Sequence, residues 1–315
     1  MGTVYEAESM GAGHFKKRVA VKIIREEFST IPEFRSNFVG EAKLVANLIH
    51  ANIVQIYHLG EKYGQYFMVM EYVDGFTLED FILQHRAMKK EIPEKLACFI
   101  ISRVCRGLAY AHQARDIDGN RLGIVHRDVN PRNIIISKGG DVKLMDFGIA
   151  KALQYMFNHE GHIIAGKDEY LSPEAARKEV TDPRSDIFSC GILLMELLTG
   201  ENMYFVSGDP DKTRENVCNQ ELPNLREEPY QLDENIVEII ETALRKDRER
   251  RTQTAQLLMA ALEYHLYKNG YGPTNEKLSH YTKTLFAKGF AFDRIESNPE
   301  KKTFGINAPA DHVSE

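Results

Sequence analysis

The stretch IVHRDVNPRNIII at residues 124–136, with Asp146-Phe147-Gly148 ten residues beyond its end, constrains this chain more than any other part. The pieces GIVH (123–126), IIIS (134–137) and DVKLMD (141–146) are short and strand-like. Two such strands joined by a turn bring the side-chain oxygens of Asp128, Asn133 and Asp146 to one place. An aspartate there can accept a proton from a hydroxyl, and an asparagine with a second aspartate supplies hard oxygen ligands for Mg²⁺. Either triplet alone reads as a polar turn. The order HRDxxxxN then DFG, at this spacing, does not.

The rest of the chain divides into a strand-rich front and a helical back. The first ninety residues read as strands with one helix: RVAVKIIR at 18–25 is a strand, and 33–48 has a helical rhythm. IVQIYH (53–58) and YFMVMEY (66–72) are strands joined through a Gly60–Gly64 turn region. From Pro93 the chain turns helical, with Leu96, Phe99, Ile100, Val104, Leu108 and Ala111 on one face. Further helices are expected near 186–199, 233–246, 253–268 and 275–287, and GENMYFVSGDPD (200–211) reads as a loop. Leu278, Tyr281, Thr282 and Leu285 form an apolar face that either packs back on the chain or docks a partner; periodicity leaves both open. SNPEKKTFGINAPADHVSE reads as disordered.

Composition excludes several classes. The 315 residues suit about two folded units of roughly 150 residues. Net charge is −6, from 40 Lys+Arg and 46 Asp+Glu, which gives no global footprint for nucleic acid. Cys98, Cys105, Cys190 and Cys218 form no CxxC pair and no disulfide framework, so a reducing, cytoplasmic setting is expected. The longest apolar run, near 187–198, is interrupted by Glu196 and is too short to span a bilayer.

At HRDxxxxN and DFG the chain resembles the protein kinase superfamily, and most of all the eukaryotic-like (Hanks-type) serine/threonine kinases of bacteria. The resemblance covers about residues 1–265. It implies an α+β, two-lobed fold: a small β-rich N-lobe over 1–73 lacking its first strand, a larger helical C-lobe over 74–265, and an extension over 266–315 with one helix. It implies ATP-dependent phosphoryl transfer to Ser/Thr hydroxyls of protein substrates, with Mg²⁺ or alternatively Mn²⁺. Asp128 is the implied catalytic base, and Asn133 and Asp146 the metal ligands. Lys22, ending the strand VAVK, contacts the ATP phosphates and pairs with Glu41 of FVGEAKLVANL. VMEYVDG (69–75) resembles the hinge. Met70 backs the adenine pocket, backbone groups of Glu71 and Val73 face adenine, and Asp74-Gly75 is a short flexible joint. Gly2, Val4 and Ala20 complete the nucleotide-binding set. Glu174 of YLSPE pairs with Arg251 of KDRERRT, and Asp186 holds the backbone of the catalytic loop.

Three features depart from the family pattern. Of the glycine-rich GxGxxGxV only the end, Gly2-Thr3-Val4, is present. The chain is therefore expected to start at an internal methionine of that loop, to bind ATP weakly as written, and to leave a sheet edge unpaired. The lysine two residues after the catalytic Asp is Asn130, while Lys167 stands where many Ser/Thr kinases carry a threonine; Lys167 is expected to supply the missing charge. No Ser or Thr lies between Gly148 and Leu171, so activity is expected not to depend on Ser/Thr phosphorylation there. The alternatives are a pseudokinase scaffold, which the missing glycines and Asn130 favour, and a small-molecule phosphotransferase.

Overall fold

Alternation along β2 (Lys16–Ile24) places Val19 and Val21 on one face of a sheet, where they pack with Val69, and Ala20, Lys22 and Ile24 on the other. The computed structural model describes residues 2–24, 39, 42, 45–147 and 168–291. β1 (Gly2–Met10) pairs antiparallel with β2 over its whole length, from Gly2 opposite Ile24 to Met10 opposite Lys16. β4 (Gln65–Glu71) lies on the other side of β2, and β3 (Ile56–Lys62) pairs with β4, so the order among the described residues is β1-β2-β4-β3. Among the described residues β1 lies at one edge of this sheet. Residues 39, 42, 45 and 46 are helical, within the segment expected to be a helix.

The hairpin between β3 and β4 is tighter than expected. Gly60 lies inside β3 opposite Phe67, and the turn is Tyr63-Gly64, both at positive φ (54° and 77°). The strand expected over 53–58 starts only at Ile56. Ile53 instead forms a parallel bridge with Leu144 in the second sheet.

That sheet consists of β5 (Gly75–Thr77), β6 (Ile134–Ser137) and β7 (Val142–Leu144), in the order β5-β6-β7. Residues 123–126 are not a strand, which corrects the sequence expectation; the backbone amide of His126 is taken by a side chain described below.

The helices of the larger lobe surround α2 (Glu94–His112), in which Phe99, Ile100, Ile101 and Leu108 are fully buried. α4 (Pro183–Thr199) packs against α2, and its apolar run ends at Gly200, which caps it at φ 85°. Short α3 (Pro173–Ala176) precedes α4; α6 (Glu234–Ala243) and α7 (Ala255–Tyr267) complete the core. Two helices differ from expectation. α1 (Leu78–Met88) begins in a capping box: Thr77 Oγ1 accepts from the Asp80 amide and Asp80 Oδ2 from the Thr77 amide. α5 (Pro210–Asn219) starts where Asp209 caps and Pro210 takes the first turn, inside a segment whose composition reads as loop. No helix among the described residues is long and apolar enough to cross a membrane.

α8 (Asn275–Leu285) decides between the two uses of its apolar face. Leu278, Thr282 and Leu285 are buried against the large lobe, so the face is covered by the chain itself. α7 continues through Leu266 to Tyr267.

Candidate active site

Asp186, in the first turn of α4, organises the loop that carries Asp128. Its Oδ2 accepts from the His126 amide and from His112 Nε2, and its Oδ1 from the Arg127 amide, each at 2.8 Å. Burial alone would raise this carboxyl; the hydrogen bond and charge of His112 and the bond from the His126 amide outweigh it and hold the group below the ordinary carboxylate range. Arg127 is thereby held at φ 61°, in the left-handed region that non-glycine residues rarely occupy.

His126 ties this loop to the DFG segment. Its Nδ1 accepts the Asp128 amide proton at 3.2 Å, so the ring proton sits on Nε2 and is donated to Met145 O at 3.0 Å. Phe147 stands 4.5 Å from the His126 ring, centroid to centroid. Burial keeps this histidine neutral by lowering its pKa.

The expected base and metal ligands converge. Asn133 Nδ2 donates to Asp128 Oδ2 at 2.9 Å and to Asp128 O at 2.8 Å. The nitrogen of Asn133 is thereby turned to Asp128, and the oxygen is the atom of this side chain with the chemistry of a cation ligand. Asn130 has a local task. Its Oδ1 caps the 3-10 turn Pro131–Asn133 by accepting from the Arg132 amide, and its Nδ2 donates to Asp128 O at 3.0 Å. Only 5% of it is exposed, so it offers no group in place of a lysine.

From the opposite lobe, Lys22 Nζ reaches Asp146 Oδ1 at 2.8 Å. Asp146 sits at φ 57°, the second left-handed residue of the site. Directly opposed residues of antiparallel strands share a face. Gly2 opposes Ile24, Val4 opposes Lys22, Ala20 opposes Met70 and Lys22 opposes Met68. Gly2, Val4, Ala20, Lys22 and Met70 thus belong to the one face that meets the DFG segment. At the hinge, the Glu71 carboxylate pairs with Lys143 Nζ at 2.9 Å, and Val73 is half-buried. The joint at Asp74-Gly75 is not loose. Gly75 is paired with Ser137, and a Cβ on it would lie 2.1 Å from Ile136 O, so glycine is required for close backbone approach. Glu41, Lys167 and the segment 148–167 lie outside the described residues.

Beneath the site, Arg251 forks both carboxylate oxygens of Glu174 at 2.7 and 2.9 Å. Burial opposes ionisation of Glu174, but the Arg251 bonds and charge and the Ser185 hydroxyl outweigh it and hold its pKa at about 2. Two further polar links escape the sequence patterns. Arg132 Nε bonds Glu79 at 2.8 and 2.9 Å. Glu196 accepts from Tyr170 OH at 2.7 Å and from Arg86 at 2.9 Å. Glu79, Arg86, Pro131, Tyr170 and Glu196 line a cavity of about 500 Å³ beside the catalytic loop. The signal for it was the Thr77–Asp80 capping box, which places α1 there.

A family model described as "Protein kinase domain" matches residues 1–262. The chain belongs to the protein kinase family. Among curated kinases it is 34% identical over 292 residues to "Tyrosine-protein kinase MasK" of Myxococcus xanthus, covering 91% of this chain and 44% of that protein. It is 37% identical over 250 residues to "Serine/threonine-protein kinase PknB" of Mycolicibacterium smegmatis (78% and 38%). It is 40% identical over 200 residues to "Serine/threonine-protein kinase PrkC" of Bacillus subtilis (64% and 28%). The kinase chain thus spans less than half the length of these relatives. The solved PknI kinase domain of Mycobacterium tuberculosis shares the fold, with a TM-score of 0.61 at 24% identity, covering 84% of this chain and 90% of that one.

Proposed function

We propose that this kinase transfers the γ-phosphoryl group of ATP to serine or threonine hydroxyls of protein substrates. The observation that carries the proposal is a pair of contacts, Asn133 with Asp128 at 2.9 Å and Lys22 with Asp146 at 2.8 Å, on segments tied together by the Met145 amide bonding Asn133 O at 2.9 Å. The oxygens of Asn133 and Asp146 are a hard donor set that fits Mg²⁺, and Mn²⁺ shares that preference. The bound cation supplies neutralisation of charge on the phosphate oxygens. In this reading Val4, Ala20 and Met70 enclose the adenine, with Glu71 and Val73 contacting it through the backbone. Lys22, fixed by Glu41, positions the α- and β-phosphates, with Gly2 at the start of the strand above them. Asp128 orients the acceptor hydroxyl and takes its proton as the new O–P bond forms and ADP leaves. Lys167 supplies the positive charge that the buried Asn130 does not. Catalysis comes from positioning and fixed charge.

The acceptor class rests on kinship with PknB and PrkC, both named serine/threonine kinases. MasK is named a tyrosine kinase, so the acceptor needs its own measurement. The protein is incubated with labelled ATP, Mg²⁺ and a generic protein substrate beside an Asp128→Asn control, and the labelled amino acid is identified. Phosphoserine or phosphothreonine is expected. Phosphotyrosine alone would reassign the acceptor, and label that persists in the control would remove Asp128 from its role. A Lys167→Ala variant that keeps wild-type kcat would remove Lys167.

A further inference from the structure

α1 is the wall between the extension and the catalytic loop. One side of it bears Glu79, which holds Arg132 of that loop, and Arg86, which reaches Glu196 and Gly200 O. The other side is taken up by the extension. His85, 2% exposed, donates from Nδ1 to Phe81 O and accepts at Nε2 from Tyr281 OH, both at 2.8 Å. The His85 and Tyr281 rings stack at 5.7 Å and 11°. Gln84, also 2% exposed, turns its amide to the extension: Nε2 donates to Leu285 O and Gly289 O, besides Met88 Sδ of its own helix, and Oε1 accepts from the Ala291 amide. A buried amide satisfied by three backbone groups of one segment fixes that segment's path.

The same segment grips the hinge side. Phe286 packs on Phe76 of β5 at 4.5 Å, immediately after the Asp74-Gly75 joint. Ser279 Oγ donates to Lys138 O at 2.6 Å, and Asn275 Nδ2 to Asp141 Oδ1 at 2.8 Å. Lys138 in turn donates its amide to Asp74 O at 2.8 Å and pairs its Nζ with the Asp74 carboxylate at 2.9 Å. The contact is close enough to need glycine. Gly140 sits at φ 86°, and a Cβ there would lie 1.9 Å from Asn275 O.

We propose that residues 275–291 are a positioning brace for the acceptor side of the cleft. They hold α1 against the catalytic loop and the β6–β7 turn against the hinge, with Tyr281 and Phe286 as positioning residues that act through α1 and β5. The expected kinetic effect rests on the function proposed above; the structural coupling does not.

The test uses the whole chain carrying Tyr281→Ala with Phe286→Ala, and separately Tyr281→Phe, which keeps the ring and removes only the hydroxyl bonded to His85. Hydrogen exchange is followed in peptides covering 78–88, 128–133 and 186–197. The double variant should exchange about tenfold faster over 78–88 and 128–133 and unchanged over 186–197, with Tyr281→Phe intermediate. In phosphoryl transfer, KM for the protein substrate should rise by about fivefold or more while KM for ATP stays within about twofold. Faster exchange confined to 275–291 overturns the brace, as does an unchanged protein-substrate KM in an active enzyme whose α1 exchange has risen. If the double variant does not fold, Tyr281→Phe decides by the same comparison. If the parent protein transfers no phosphate but the exchange pattern holds, the brace stands and the catalytic reading falls.

Discussion

Lys22 and Asp146 meet across the cleft at 2.8 Å, the cation from the central N-lobe strand and the carboxylate from the segment after β7. The pair shows that the two lobes present opposite charge to the same space. Lys22→Met is expected to lower kcat by about 10²–10³-fold, the scale seen when one preorganised charge is removed from a reacting phosphate or oxyanion. Chelation of divalent metal should abolish transfer in the parent protein and return on adding Mg²⁺. Measured transfer rates check both.

Glu174 and Arg251 give a prediction in pH. The folded-state pKa of Glu174 is about 2 against an ordinary 4.5, so the pair's stabilisation is fully present above the ordinary value and is lost as pH falls toward about 2. Glu174→Gln leaves the Arg251 guanidinium buried without its counter-charge, at a cost of about 3–5 kcal/mol near neutrality. Urea unfolding of the two proteins should show a constant gap from neutral pH to about 5 and a narrowing gap below it. Arg251→Lys should be nearly as harmful, since Arg251 also donates to Arg245 O and Arg184 O, and an ammonium cannot reproduce that planar fork.

Asn130→Ala is expected to cost about 0.5–2 kcal/mol through loss of the cap on the Pro131–Asn133 turn. It should also lower transfer, because its Nδ2 helps fix the Asp128 carbonyl. A lowered urea midpoint together with a reduced kcat is the expected outcome.

Gly75→Ala should destabilise by about 1–3 kcal/mol, the range for inserting a methyl group where no space exists. The new carbon would meet Ile136 O, so β5 must shift away from β6. Thermal unfolding measures the loss, and nucleotide affinity should fall with it because the hinge is continuous with β5.

Most of the site was legible because its residues occur in fixed order on short β-branched strands; β6 and β7 form where those runs lie. Residues 123–126 also carry a β-branched pair, Ile124-Val125, and form no strand. Their region is claimed by the Asp186 carboxylate, 60 residues from His126, and no local pattern encodes that. Asn130 reads in sequence as a lysine that is missing, and in three dimensions as a cap that is used. α1 and α5 were missed although both carry start signals, Thr77–Asp80 and Asp209–Pro210. In each, turn-forming residues are also helix caps, and only the tertiary contact chooses between the two uses.

Arg127 and Asp146 both occupy backbone conformations that would suit glycine. A glycine at position 146 should relieve about 1 kcal/mol of torsional strain while removing a carboxylate the site depends on. Screens that select only for thermal resistance would drift toward such replacements and return sturdier, inert proteins. At position 146 heat tolerance and catalysis pull in opposite directions, and a library built to improve the enzyme should leave that aspartate untouched.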